Sequence, residues 1–172
     1  MIAGAVFVLV FVPLVFEAAL SARNERHLRA QGAREPAGDV IRAMQLGYPA
    51  AFLVMMAEAA WRQPAFDGLF ALGLTTFTAA KALKYWTIAT LGPRWTFRVL
   101  VPPHSARVVS GPYRFHHHPN YIAVTGELLG VALMTHSIVA GPLATIVFML
   151  LIRRRIDVEE RALGLRGVES QR

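Results

Sequence analysis

Two short polar stretches carry side chains suited to holding a small charged molecule: Ser110-Gly-Pro-Tyr-Arg-Phe-His-His-His-Pro-Asn-Tyr121 and Arg153-Arg-Arg-Ile-Asp-Val-Glu-Glu160. Arg155 and Glu159 are four apart and share a helix face, with Glu160 about 100° round from Glu159. Pro119 suits a first helical position, which makes His118 a cap and puts Tyr121 on a neighbouring face. An arginine can fix an anion, and carboxylates can hold a cation or hydroxyl groups. Each stretch alone also has a plain structural reading. The first is then a helix cap with an interfacial aromatic. The second is a solvated last turn, with Arg153 and Arg154 resting on anionic lipid.

The run between them, Tyr121 to Ile152, decides whether they meet. It is apolar but interrupted at His136-Ser137 and Gly141-Pro142. As one helix it would be about 48 Å long, too long for a simple span. The turn signals divide it into two arms, Pro119–His136 and Pro142–Glu160, folded into a hairpin. That fold returns both polar stretches to one face. Gly126 and Gly130 form a small-xxx-small pair, expected to let the arms approach closely. Glu127 lies about 12 Å inside the first arm, where a carboxylate is expensive, so it is a catalytic candidate or a polar contact between helices. Glu17 and Glu58 are read as structural. Adjacent positions His116 to His118 diverge too far to ligate one ion, and the chain has no cysteine and no HExxH motif, so no metal site is expected.

The elements that must position these residues are apolar throughout. Hydrophobic residues make up 55% of the 172 and charged residues 17%, against about 25% charged in ordinary soluble domains. Mean hydropathy is +0.42. Ile2–Leu20, Ala43–Trp61 and a third segment from Ala65 to Leu91 are each long enough to cross a bilayer. The first is read as a retained helix rather than a cleaved signal, because no basic region precedes it. Ala22–Arg42 reads as a polar, turn-rich loop, and Lys81 and Lys84 as the emerging end of the third helix. Trp95–Val101 suits a short extended piece before Pro102-Pro103. With the loops 22–42 and 81–118 and the tail on one side, that face holds 17 of the 18 Lys and Arg residues, and only Arg62 lies opposite. The positive-inside rule makes the crowded face cytoplasmic and the N-terminus external. The net charge of +7 is therefore a topology signal, and no nucleic acid is expected as partner.

The motifs then gain a context. Gly111-Pro-Tyr-Arg-Phe-His-His-His-Pro-Asn-Tyr121, the hairpin, and Arg155-Ile-Asp-Val-Glu-Glu160 resemble the isoprenylcysteine carboxyl methyltransferase family. Lys84-Tyr-Trp86 and Leu91-Gly-Pro-Arg-Trp95 are similar to its short bacterial-type members. The likeness is specific over roughly 82–163 and covers the rest only as a set of spans. It departs at His117, where an arginine usually precedes His-Pro, and the tail lacks the length of eukaryotic members. The resemblance implies an all-α integral membrane protein of about five transmembrane helices in a bacterial inner membrane, with a cytoplasmic cofactor pocket. The single domain 1–172 then comprises three N-terminal helices over 1–91, a connector over 92–118, the hairpin over 119–160 and a tail over 161–172. The cofactor implied is S-adenosyl-L-methionine, held by His118, Pro119, Asn120, Tyr121 and Glu159, with Glu160 in second rank. Arg155 would position the substrate, and Glu127 stays a catalytic candidate.

Methyl transfer from a sulfonium is an in-line displacement that depends on positioning, and an acceptor oxygen that is already an anion requires no strong base. The acceptor implied is lipophilic: a prenylcysteine carboxylate or a hydroxyl on a long-chain polyketide such as an alkylpyrone. Phospholipid N-methylation, NADPH-dependent reduction of a sterol-type double bond and a non-catalytic membrane scaffold are the competing readings. The reductase would need a phosphate site, and no glycine-rich phosphate loop follows a strand.

Overall fold

A computed structural model describes residues 2–101, 103 and 108–162. Among the described residues it has five α-helices and no strand: α1 Ile2–Ala30, α2 Ile41–Arg62, α3 Gly68–Leu91, α4 Pro119–Met134 and α5 Ala140–Ala162. Two 3-10 turns, Gly92–Arg94 and Gly111–Arg114, punctuate the connector after α3. The expected count, order and hairpin are therefore present, and the arms end within two residues of where the turn signals put them. The tail from 163 onward and Pro102 lie outside the described residues.

By length and composition α1 is long and apolar enough to cross a membrane. It differs from expectation at its end, running to Ala30 rather than breaking near Leu20. The polar extension is held by tertiary contacts. Asn24 Nδ2 donates to the Trp95 carbonyl at 2.8 Å, and Ser21 Oγ accepts from the Phe97 amide at 2.8 Å. Segment 95–101 is thus sewn along α1. It forms no strand, only an isolated antiparallel bridge between Arg34 and Val101.

Asp67 caps α3 by accepting from the amides of Leu69 at 2.9 Å and Phe70 at 3.0 Å, which satisfies two donors left free by the first turn. Glu58 does the same at the entry to α5, where the amides of Ile138, Val139 and Ala140 all donate to its carboxylate. That is the structural role read for Glu58 from sequence.

The glycine pair works against a different partner from the one expected. A Cβ on Gly130 would stand 2.7 Å from the Phe77 amide nitrogen and 2.9 Å from the Gly73 carbonyl, and one on Gly126 would stand 2.9 Å from the Ala80 Cβ. The close approach is therefore between α3 and α4, not between the hairpin arms. Those arms meet instead where Gly141 faces Ala132. The apolar core joins Val6 and Val10 of α1, Phe52 and Met55 of α2, Phe77 of α3, Leu128 of α4 and Phe148 of α5.

Candidate active site

The hairpin brings the two polar stretches into direct contact. His118 caps α4 by position and Pro119 follows at its first turn, but the imidazole makes no capping bond. It is turned to α5 instead, with Nε2 3.2 Å from Glu160 Oε1 and Nδ1 3.8 Å from Glu159 Oε2. One helical turn on, the Tyr121 ring stacks on the His118 ring at 5.7 Å between centroids. The Tyr121 hydroxyl donates to Glu159 Oε2 at 2.9 Å and accepts from Arg155 Nε at 3.0 Å. Arg155, Tyr121 and Glu159 thus form one relay across α4 and α5.

Arg155 is 5% exposed, so its guanidinium is held almost out of water. Its Nη2 donates to the Phe97 carbonyl, and Nη1 lies 3.8 Å from Met44 Sδ. The connector and α2 therefore complete a socket that α5 alone does not make. Gly111 aims the connector at the site. Its φ of 56° is the left-handed region, and a Cβ there would collide with Thr90 Oγ1 of α3. The following turn presents Tyr113 to the cavity. Burial, together with the charge of Glu159, pushes the Tyr113 phenol well above its ordinary pKa, so it stays a neutral hydrogen-bonding group.

These groups line a cavity of about 620 Å³ whose wall combines polar and apolar side chains. His118, Asn120, Arg155 and Glu159 lie along it, and Leu14, Val124 and Phe148 line it too. Asn120 Oδ1 is buried without a hydrogen-bond partner among the described residues, a free acceptor in a cavity wall. Pro119 is buried at the first turn of α4 and is not among the residues that line the cavity.

Glu127 is not in this group. It sits in a second cluster with Glu17, Lys81 and Lys84, all four at most 8% exposed. Each lysine pairs with both carboxylates: Lys81 at 2.7 Å to Glu17 and 2.8 Å to Glu127, Lys84 at 3.0 Å and 2.8 Å. Tyr48 OH donates to Glu127 Oε2 at 2.7 Å. The lysines do not emerge at the end of α3 as their charge suggested. They turn inward because two carboxylates from α1 and α4 meet them there. Lys84 and Tyr48 also border the cavity, so the two clusters share a wall. Among the described residues no group of His, Cys, Asp and Glu is arranged to hold a metal ion.

Sequence reasoning missed Tyr48, Met44, Tyr113 and the Phe97 carbonyl. Tyr113 lay in a motif already singled out. Nothing in the others marked them beforehand, since each depends on how α2 and the connector fold back.

The sequence model of the isoprenylcysteine carboxyl methyltransferase (ICMT) family matches residues 71–164, more than half of the chain. A curated relative, the uncharacterized protein YpbQ of Bacillus subtilis (strain 168), is 30% identical over 151 residues, covering 86% of this chain and 88% of the relative. No solved structure matches.

Proposed function

The chain belongs to the isoprenylcysteine carboxyl methyltransferase family of membrane methyltransferases, and on that premise we propose that it is a multi-pass S-adenosylmethionine-dependent O-methyltransferase acting on a lipophilic acceptor. One observation carries the reading: the Arg155–Tyr121–Glu159 relay and His118 border a cavity that is also lined by apolar side chains such as Leu14, Val124 and Phe148. The polar groups suit an adenosyl cofactor and the apolar ones suit a hydrocarbon tail.

The cavity walls fit the cofactor on chemical grounds. Glu159 and the unpartnered Asn120 Oδ1 offer acceptors to ammonium, amine or hydroxyl donors, and His118, Asn120, Tyr121 and Glu159 are the residues that would hold it. When bound, the cofactor supplies an electrophilic methyl group on a positively charged sulfur. Arg155 then fixes the acceptor's oxygen, and Tyr121 keeps the guanidinium and Glu159 in register. Arg155 is almost wholly buried, so its hold on an anion is little screened by water. The acceptor class that follows is an acidic oxygen on a long apolar body, such as a prenylcysteine carboxylate or an alkylpyrone enol.

The proposal includes five membrane spans with the N-terminus outside. Its support is the outward face of the helices, where Val8, Val12 and Phe16 of α1, Leu53 and Val54 of α2, and Leu143, Ile146 and Leu150 of α5 are exposed. So many exposed apolar side chains suit contact with lipid.

Calorimetric titration of the purified protein in detergent with S-adenosylmethionine, S-adenosylhomocysteine and NADPH tests the reading. Both adenosyl ligands should bind, and Glu159→Gln should weaken them at least tenfold, since a charge-assisted bond is worth about 1.5–3 kcal/mol. Binding of NADPH alone would overturn the methyltransferase in favour of a reductase.

A further inference from the structure

A carboxylate stands behind Arg155 that the chemistry above does not use. Asp39, between α1 and α2, has a side chain 3% exposed, and its Oδ2 lies 3.8 Å from Arg155 Nη2. Neither of its oxygens accepts a hydrogen bond among the described residues. A carboxylate withdrawn from water without hydrogen bonds is costly to keep ionised, so a nearby cation must offset it. Arg98 and Arg155 both lie within its field. Arg98 senses the Asp39 charge, but it is already committed to Glu35 at 2.6 Å and Glu25 at 3.3 Å. Arg155 is the other, and its hydrogen-bond partners are all neutral: the Tyr121 hydroxyl, the Phe97 carbonyl and the Met44 sulfur.

The separation is informative. Charge-assisted hydrogen bonds close to about 2.7–2.9 Å, so 3.8 Å is too long for one. Coulomb attraction across that gap is still strong where water is excluded. The guanidinium is thus electrically compensated by Asp39 without being bound to it, and its N–H groups are not consumed by the pair.

Resting on the methyltransferase reading, we infer that Asp39 is the resident counter-charge of Arg155, moderating its hold on an anionic acceptor and balancing it once the neutral product forms. In the transfer the acceptor oxygen bonds to the methyl carbon as the carbon–sulfur bond breaks. The oxygen's negative charge and the sulfonium's positive charge disappear together, and no proton moves. Arg155 therefore faces an anion before the step and none after it. A stronger grip on that anion favours the ground state over a transition state in which its charge is partly gone, which slows turnover. Asp39 lies outside the span that the family model matches, so this role belongs to the chain's own N-terminal half.

The test uses the full-length protein in detergent, titrated with farnesylcysteine carboxylate and with its methyl ester. Asp39→Asn keeps the shape and removes the charge. It should bind the carboxylate roughly threefold to tenfold more tightly and the ester unchanged, while Asp39→Glu keeps the wild-type preference. In steady-state methylation, KM and kcat of the Asn variant should fall together, whereas a merely disturbed socket raises KM. Any result in which Asp39→Asn does not increase the preference for carboxylate over ester overturns the inference. A wild type that binds neither S-adenosylhomocysteine nor carboxylate overturns the methyltransferase reading as well. A wild type that binds both, equalled by its Asn variant, overturns the counter-charge alone.

Discussion

Glu127→Gln separates two roles for the buried carboxylate of α4. The substitution preserves shape and leaves an oxygen able to accept from Tyr48, now 2.7 Å away. What it removes is one negative charge from a set of two carboxylates and two lysines that sums to zero. Both lysines sit within 2.8 Å of Glu127 and are at most 10% exposed at the side chain, so the remaining positive charge has no water to spread into. Removing one partner of a buried pair costs about 3–5 kcal/mol, and the retained Tyr48 bond argues for the lower end. At about 2–4 °C per kcal/mol for a chain of this size, apparent Tm in detergent should fall by roughly 6–12 °C. Adding Lys81→Met restores neutrality and should recover more than half of that loss. Affinity for S-adenosylhomocysteine should hardly change in the protein that stays folded. A fall in Tm of only a degree or two, or a double variant as unstable as the sum of the singles, would refute the charge-balance argument. Loss of turnover at unchanged Tm would instead make Glu127 a catalytic group, as its depth in the arm first suggested.

Gly130→Ala should destabilise by about 1–3 kcal/mol, because the new methyl meets backbone atoms of Phe77 and Gly73 that cannot rotate away; an unchanged melting curve would remove the α3–α4 contact from the argument. The Glu35 carboxyl gives a pH dependence: burial opposes its ionisation, but hydrogen bonds from Arg29 and Arg98 prevail and hold its pKa below the ordinary value of 4.5. A carboxyl depressed on folding stabilises above its unfolded pKa and loses that stabilisation as pH falls through its folded pKa. Wild type and Glu35→Gln should therefore differ in Tm near neutrality and converge as the pH falls through the depressed pKa, below the ordinary carboxyl range. For topology, the chain has no cysteine, so single Arg62→Cys and Arg114→Cys variants report directly. A membrane-impermeant maleimide on intact cells should label the first and not the second, and the reverse pattern would invert the orientation.

Much of the fold was legible because turn chemistry and helical apolar runs are local signals. Gly141-Pro142 split the last run where α5 begins, and Pro119 marked the start of α4 within one residue. The end of α1 was not legible, because the residues after Leu20 are polar and carry no apolar period. Their helix is sustained from outside, by Asn24 and Ser21 bonding the backbone of the connector. The same kind of dependence misdirected the glycines. Small-xxx-small says that something packs closely on that face, but which helix does so is a tertiary fact.

The site divides along the same line. Arg155 and Glu159 were legible from their spacing, and His118 and Tyr121 from the proline beside them, since one hairpin suffices to join them. Residues contributed by α2 and the connector needed three further chain reversals to arrive, and no spacing encodes those. The buried lysines make the point most sharply. Lys81 and Lys84 near the end of an apolar helix have the appearance of interfacial anchors, a common use of that residue at that place. Two isolated carboxylates, Glu17 in α1 and Glu127 in α4, were each expensive and unexplained alone. Four such charges from three helices are far less costly together than apart, so pairing the carboxylates with the lysines is the arrangement that removes both anomalies at once. Unexplained charges of opposite sign in apolar helices are therefore better read jointly across helices than one at a time, and here that reading places α1, α3 and α4 around a common centre beside the cavity.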